Sequence, residues 1–313
     1  MAFSSTALSA AELAAKALDK PLFLGRNVLE DYNALPEWKG GGSGTWTSGS
    51  DITYGSAYTS YLFDGRGTVR SYPGLGSYTG FTIIFDLVAG TDDDHTFDTI
   101  AIWNHNLHLL TPTSPTVTFQ VSDASDFTTN LTTLATWTVT TGDRLVAYLT
   151  SRYSSVRYAR LVIASSAGAF TTTAPAIGEI HVARRRQMGA YPDLPWTAKK
   201  ISRKVTSFAD QAGDESVFVH YRGRRTFDNV VFRSGGLAGS IDSCSEMEDL
   251  WDSLDQGTKT MVFCPQPYSA PNDVLFCRPP DDFDLDVRSL GPTEREFAVS
   301  LNELRPFRLL DTE

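Results

Sequence analysis

From Trp46 to about Ala183, short runs of β-branched and aromatic residues alternate with turn-forming residues. Phe81-Thr82-Ile83-Ile84-Phe85-Asp86-Leu87 and Thr99-Ile100-Ala101-Ile102-Trp103 have strand composition. In Val117-Thr118-Phe119-Gln120-Val121 apolar and polar residues alternate strictly, which aims Val117, Phe119 and Val121 at a core. Thr136 to Thr140, Arg160 to Ala164 and Ile177 to Val182 complete the series. Many short strands at this spacing, with almost no helical periodicity, predict a β-sandwich.

The second half differs. Strands are expected at Phe218 to Tyr221, Asn229 to Phe232, Met261 to Phe263, Asp273 to Cys277 and Glu296 to Leu301. Between the second and third, Ser243-Cys244-Ser245-Glu246 has capping-box spacing. Met247, Leu250, Trp251 and Leu254 then follow at i, i+3, i+4 and i+7, the stripe of a helix over 243–256, and Gly257 supplies a left-handed stop. The first 44 residues read as an Ala-rich helix and a glycine-rich exposed loop, Lys39-Gly40-Gly41-Gly42-Ser43-Gly44. Arg184-Arg185-Arg186 and the two following prolines predict a linker. The expected organisation is therefore mainly β: residues 1–44 as lead-in, a sandwich over 45–183, a linker over 184–198, and a β-sheet domain with one packed helix over 199–313.

At 313 residues, two domains is the natural division. A net charge of −10 argues against sequence-specific nucleic-acid binding, which needs clustered Lys and Arg. The three cysteines, Cys244, Cys264 and Cys277, form no CxxC pair and read as buried thiols of a reducing compartment. No run is long and apolar enough to span a bilayer, and the N-terminal stretch lacks the basic start and apolar core of a secretion signal, so neither a membrane partner nor export is expected.

Asp51-Ile52, Tyr61-Leu62-Phe63-Asp64-Gly65, Ile83 to Leu87, Phe97 to Asn104, Arg160 to Ile163 and Ile177 to Ile180 resemble the galactose-binding-like (discoidin) β-sandwich. Trp103-Asn104-His105-Asn106-Leu107 is similar to a segment of sandwiches in bacteriophage structural proteins. Met247 to Gly257, Lys259 to Pro265 and Leu301 to Pro306 resemble the tube-type domain of distal-tail and minor tail proteins. The resemblance implies a virion protein of the phage tail (tail tip, baseplate or fibre-attachment ring), made in the host cytoplasm. It would act by self-association into a ring with other tail proteins. Two alternatives stand beside it: a carbohydrate-binding adhesin of the virion recognising a host surface glycan, and, more weakly, a polysaccharide-degrading enzyme.

The candidate chemistry favours binding. GxSxG, HExxH and GxxxxGK[ST] are all absent, so no catalytic residue is assigned and no enzyme activity is expected. On an extended chain His105 and His108 point to opposite faces and would meet only if the loop turned; hydrogen bonding by Asn104, His105 and Asn106 to hold that loop is the competing role. No cofactor is expected beyond a structural calcium, whose candidate ligands Asp92, Asp93 and Asp94 read equally as a solvated turn. Alternation of Asp282, Asp284 and Asp286 with Phe283, Leu285 and Val287 puts three charges on one strand face; the tube resemblance makes that face a channel lining past which DNA slides. Trp46, Tyr54, Tyr58 and Tyr61 are the candidates for contact with a glycan or a neighbouring subunit.

Overall fold

A computed structural model describes residues 18–41, 50–51, 59–63, 70–71, 78–88, 95–142, 144–170, 175–193, 200–209, 215–235, 241–257, 259–270, 273–280, 284–290 and 294–304. The Ala-rich helix expected within the first 17 residues lies outside them. In chain order the first strands are β1 (Leu22–Leu24), β2 (Tyr32–Gly41), β3 (Ser50–Asp51), β4 (Gly80–Leu87), β5 (Phe97–Trp103), β6 (Thr116–Ser122), β7 (Thr132–Thr138), β8 (Leu145–Tyr153), β9 (Tyr158–Ala164) and β10 (Glu179–Ala183). The rest are β11 (Arg185–Gln187), β12 (Lys200–Ala209), β13 (Glu215–Gly235), helix α1 (Ser243–Ser253), β14 (Met261–Cys264), β15 (Leu275–Arg278), β16 (Val287–Ser289) and β17 (Glu294–Glu303). The protein is mainly β, with antiparallel sheets and one α-helix among the described residues.

The chain divides into two compact units. Leu24–Arg185 and Pro267–Asp273 belong to one; Lys20–Phe23, Arg186–Gln266 and Val274–Glu313 belong to the other.

The first unit is a β-sandwich. A six-stranded sheet runs β3-β2-β4-β9-β6-β7 and a three-stranded sheet runs β10-β5-β8. Trp38, Phe81, Ile83, Phe85, Val117, Phe119, Leu161 and Ile163 from the first share a buried cluster with Ile100, Ile102, Ala147, Leu149, Ile180 and Val182 from the second. Each large apolar side chain so buried contributes roughly 1.5–3 kcal/mol. Strands β5 and β10 are buried along their whole length. The outer edge of β10 is closed without a strand: the Asn27 side chain accepts from Val182 N at 2.9 Å and donates to Ile180 O at 2.7 Å. A side-chain amide there does what a neighbouring backbone would, which protects an edge from intermolecular pairing.

In the second unit an eight-stranded sheet runs β11-β1-β14-β15-β17-β13-β12, with β16 also paired to β17. Helix α1 buries Cys244, Met247 and Leu250. These join Leu254, Phe23, Phe227, Val230, Phe232, Phe263, Phe297, Val299 and Leu301 in one cluster. Strand β13 is 21 residues long. Its register with β17 runs from Thr226 to Gly235, whereas Glu215 to Thr226 pair with β12. Among the described residues, then, β12 and the first half of β13 form a two-stranded ribbon.

Three local expectations are corrected. Lys39-Gly40-Gly41 is not loop but the end of β2, where Gly40 pairs with Ser50 on one side and Phe81 on the other. A Cβ on Gly40 would stand 2.5 Å from the Tyr78 ring, so the missing side chain makes room for an aromatic cover. The basic triplet is not an open linker. Arg185 N donates to Asp98 Oδ1 at 2.8 Å, and the buried Arg186 guanidinium donates to Glu246 at 3.1 Å. At the helix start Asp242, not Ser243, is the N-cap, accepting from Cys244 N and Ser245 N. Ser243 instead accepts from Gly189 N at 2.8 Å.

Candidate functional site

Strand β5 ends where β10 begins, and β9 ends where β4 and β6 begin. The connection out of β5 is built around a sharp turn after Trp103. Asn104 takes φ 50°, a left-handed conformation that Asn tolerates better than most residues, and swings the chain out of β5. A short 3-10 helix, Leu107–Leu109, follows. Hydrogen bonds tie this turn to the segment before β10. Gly178 N donates to Trp103 O and Asn104 O at 3.2 and 3.1 Å, Asn106 N to Ala176 O at 3.1 Å, and Ala176 N to the Asn106 side chain at 2.7 Å. A third segment is laced to the same strip: Ser71 and Ile177 exchange backbone bonds of 2.8 and 3.0 Å. The Ser71 hydroxyl also accepts from Trp38 Nε1 at 2.8 Å, from within the sandwich core.

Arg70 therefore leaves the chain beside a residue fixed on both its backbone and its side chain. Its Nε and Nη2 donate to Asn104 Oδ1 at 2.9 and 2.7 Å. The guanidinium is half-buried, and burial lowers its pKa from the ordinary arginine value. Its partner is a neutral amide, and among the described residues it makes no ion pair. Three other arginines of low exposure have evident partners. Arg185 meets Asp98 and Arg186 meets Glu246 and Asp249. Arg160 donates to Gln120 and is closed over by the Phe127 ring at 4.2 Å.

His105 is 1% exposed and His108 half-buried. Their rings lie edge to face, 6.1 Å apart, because the left-handed turn and the 3-10 helix bend the loop between them. Asn106 holds the loop as expected. Chemically the platform presents a guanidinium with donors to spare and flanking amides, which suits hydrogen bonding to hydroxyl-rich or anionic ligands.

Most residues nominated from sequence fall elsewhere. Trp46, Tyr54, Tyr58, Asp92, Asp93, Asp94 and Asp282 lie outside the described residues. Tyr61 lies in the 3-10 helix Thr59–Leu62. Asp284 and Asp286 are exposed, as expected of a solvated face, but they precede β16 instead of lying within a strand. Asp286 pairs with Arg288 at 2.6 Å, which cancels part of the charge a channel lining would present. Sequence reasoning missed Arg70, whose only local signal is an arginine closing the turn-forming run Gly65-Arg66-Gly67-Thr68-Val69.

No protein-family model matches this chain, and no curated protein does. Several solved structures are similar in part, two of them as follows. One is CpGH89CBM32-6 produced by Clostridium perfringens, at 17% identity and a TM-score of 0.32, covering 51% of this chain and 99% of the other. Another is chitosan-binding module 1 derived from a chitosanase/glucanase of Paenibacillus sp. IK-5, at 18% identity and a TM-score of 0.33, covering 51% and 98%. What the platform binds has to be argued from its own residues.

Proposed function

We propose that the protein works by binding, without catalysis, and that its sandwich unit holds a surface saccharide at the Arg70–Asn104 platform. One observation carries this reading: three loop segments are hydrogen-bonded into a fixed support from which a half-buried, incompletely used guanidinium projects. Sugars are recognised by preorganised polar groups of this sort, because each hydroxyl can accept from an N–H and donate to an amide oxygen. An array of bacterial surface glycans, probed with the intact protein and with Arg70→Ala, tests it. The reading expects at least one glycan class retained by the wild type and lost, by tenfold or more, from the variant. Wild-type protein that retains no glycan would refute it.

The ribbon of β12 and β13 supports a second, compatible role in assembly. An isolated two-stranded ribbon is marginal in water, so a partner surface would stabilise this one. Ring formation within a phage tail, with the sandwich acting as an adhesin of the virion, accommodates both units. Electron microscopy of the purified protein checks this: closed rings support it, and strictly single particles at high concentration, with no incorporation into tails, count against it.

A further inference from the structure

We propose that the Arg70–Asn104 platform selects an anionic saccharide, one presenting a carboxylate, over its neutral counterpart. The inference rests on the saccharide reading above and specifies the ligand class. A guanidinium carries five N–H donors. Asn104 Oδ1 takes one from Nε and one from Nη2, along one edge of the group. The edge formed by Nη1 and Nη2 is left over, and its two parallel N–H groups match the two oxygens of a planar carboxylate. The charge argument points the same way. The chain has a net charge of −10, yet this half-buried cation is held by an uncharged amide. A desolvated positive charge without a counter-ion is costly, and a ligand that supplies the negative charge relieves that cost in a way a hydroxyl does not.

Geometry also makes the site rigid enough to discriminate. Ser71, next to Arg70, is fully buried and pinned by Trp38 and Ile177. Asn104 is pinned through Gly178 N. The fork therefore does not have to be ordered when the ligand arrives, so more of the charge-assisted bond is expressed as affinity.

The test uses matched oligosaccharides: tetrauronates of the galacto, gluco and manno series, each beside its carboxyl-reduced form, in which –COO⁻ becomes –CH2OH. Calorimetric titration of the intact protein should give at least one series in which the uronate binds about tenfold tighter or more. That ratio should fall toward one as salt is raised to about 1 M, where charges are screened within about 3 Å. Asn104→Asp is the decisive variant. It keeps the acceptor and tolerates the left-handed φ, but gives Arg70 an internal counter-ion. The ratio should drop to about one. If Asn104→Asp melts below the wild type, Arg70→Gln replaces it, with the same loss of preference expected. Equal binding of uronate and reduced forms would overturn the anion preference and leave the saccharide reading standing. Binding of neither form in any series would count against both. Equal competition by tetraglutamate would show that the site reads charge alone, which overturns the saccharide class.

Discussion

Replacing Phe23 by Ala tests whether a short segment far upstream completes the core of the second unit. Phe23 is 0% exposed. Its ring stacks on Phe263 at 4.7 Å and meets Phe232 edge-on at 6.1 Å. Emptying a buried phenylalanine site costs about 3–5 kcal/mol, and losing two ring pairs places this site toward the top of that range. A unit of this size has roughly 5–15 kcal/mol of total stability. The substitution should therefore remove a third or more of it and lower the midpoint of that unit by roughly 10 °C or more. Urea unfolding followed by circular dichroism, with calorimetry to separate the two transitions, measures the loss; the m-value should not change. Leu290→Ala is the control, since Leu290 is 47% exposed and should cost no more than about 0.5 kcal/mol. A loss below about 1 kcal/mol for Phe23→Ala would mean that Lys20–Phe23 is not part of this core.

Other substitutions probe single contacts. Asp242→Ala should cost about 1–2 kcal/mol, because it removes the cap of α1, whereas Ser245→Ala, which keeps that cap, should cost less. Comparing the two by chemical denaturation decides whether Asp242 starts the helix. Gly40→Ala should destabilise the sandwich by about 1–3 kcal/mol, since its methyl group meets the Tyr78 ring, and Tyr78→Ala in the same protein should recover part of that loss. Burial lowers the pKa of His181 to about 4, with its Nε2 next to Gly25 O partly opposing the shift. The folded state therefore holds the neutral ring while the unfolded chain protonates near 6.5. Its stabilisation is present above pH 6.5 and is lost as pH falls toward 4, by about 3 kcal/mol. His181→Gln should flatten the stability–pH curve across that window; an unchanged slope would refute the assignment. Cys244, Cys264 and Cys277 are buried and form no disulfide among the described residues, so a thiol reagent should label none of them in the native protein and all three after denaturation.

How much was legible in the sequence depended on whether local pattern and tertiary role agreed. Strand β6 alternates cleanly because it has one face in the core and one outside, and Val117, Phe119 and Val121 are buried as expected. Strand β8 escaped notice because Leu145-Val146-Ala147-Tyr148-Leu149 is nearly continuous apolar sequence followed by exposed Thr150, Ser151 and Arg152, with no alternation to read. Strand β2 contains Pro36 and two glycines, which ordinarily mark loops; its pairing shifts register between Ala34 and Glu37, and the proline sits in that irregularity. In α1 the stripe was legible, but Trp251 is only half-buried, its ring lying against Gly257 at φ 81° where the helix stops. The binding platform was the least legible part. Arg70, Asn104 and Ala176 meet only through tertiary hydrogen bonds, and no spacing along the chain records that meeting. Asn104 and Asn106 were singled out for holding the loop, but the arginine that turns the loop into a site was not.

The most direct test of the central claim is hydrogen–deuterium exchange of the intact protein with and without a saccharide that it binds. Bound ligand should protect residues 70–71, 104–109 and 175–178 together, because the three segments share one hydrogen-bonded support, and Arg70→Ala should abolish that protection. Protection confined to other segments, or an unchanged footprint in the variant, would contradict the assignment of the platform as the binding site.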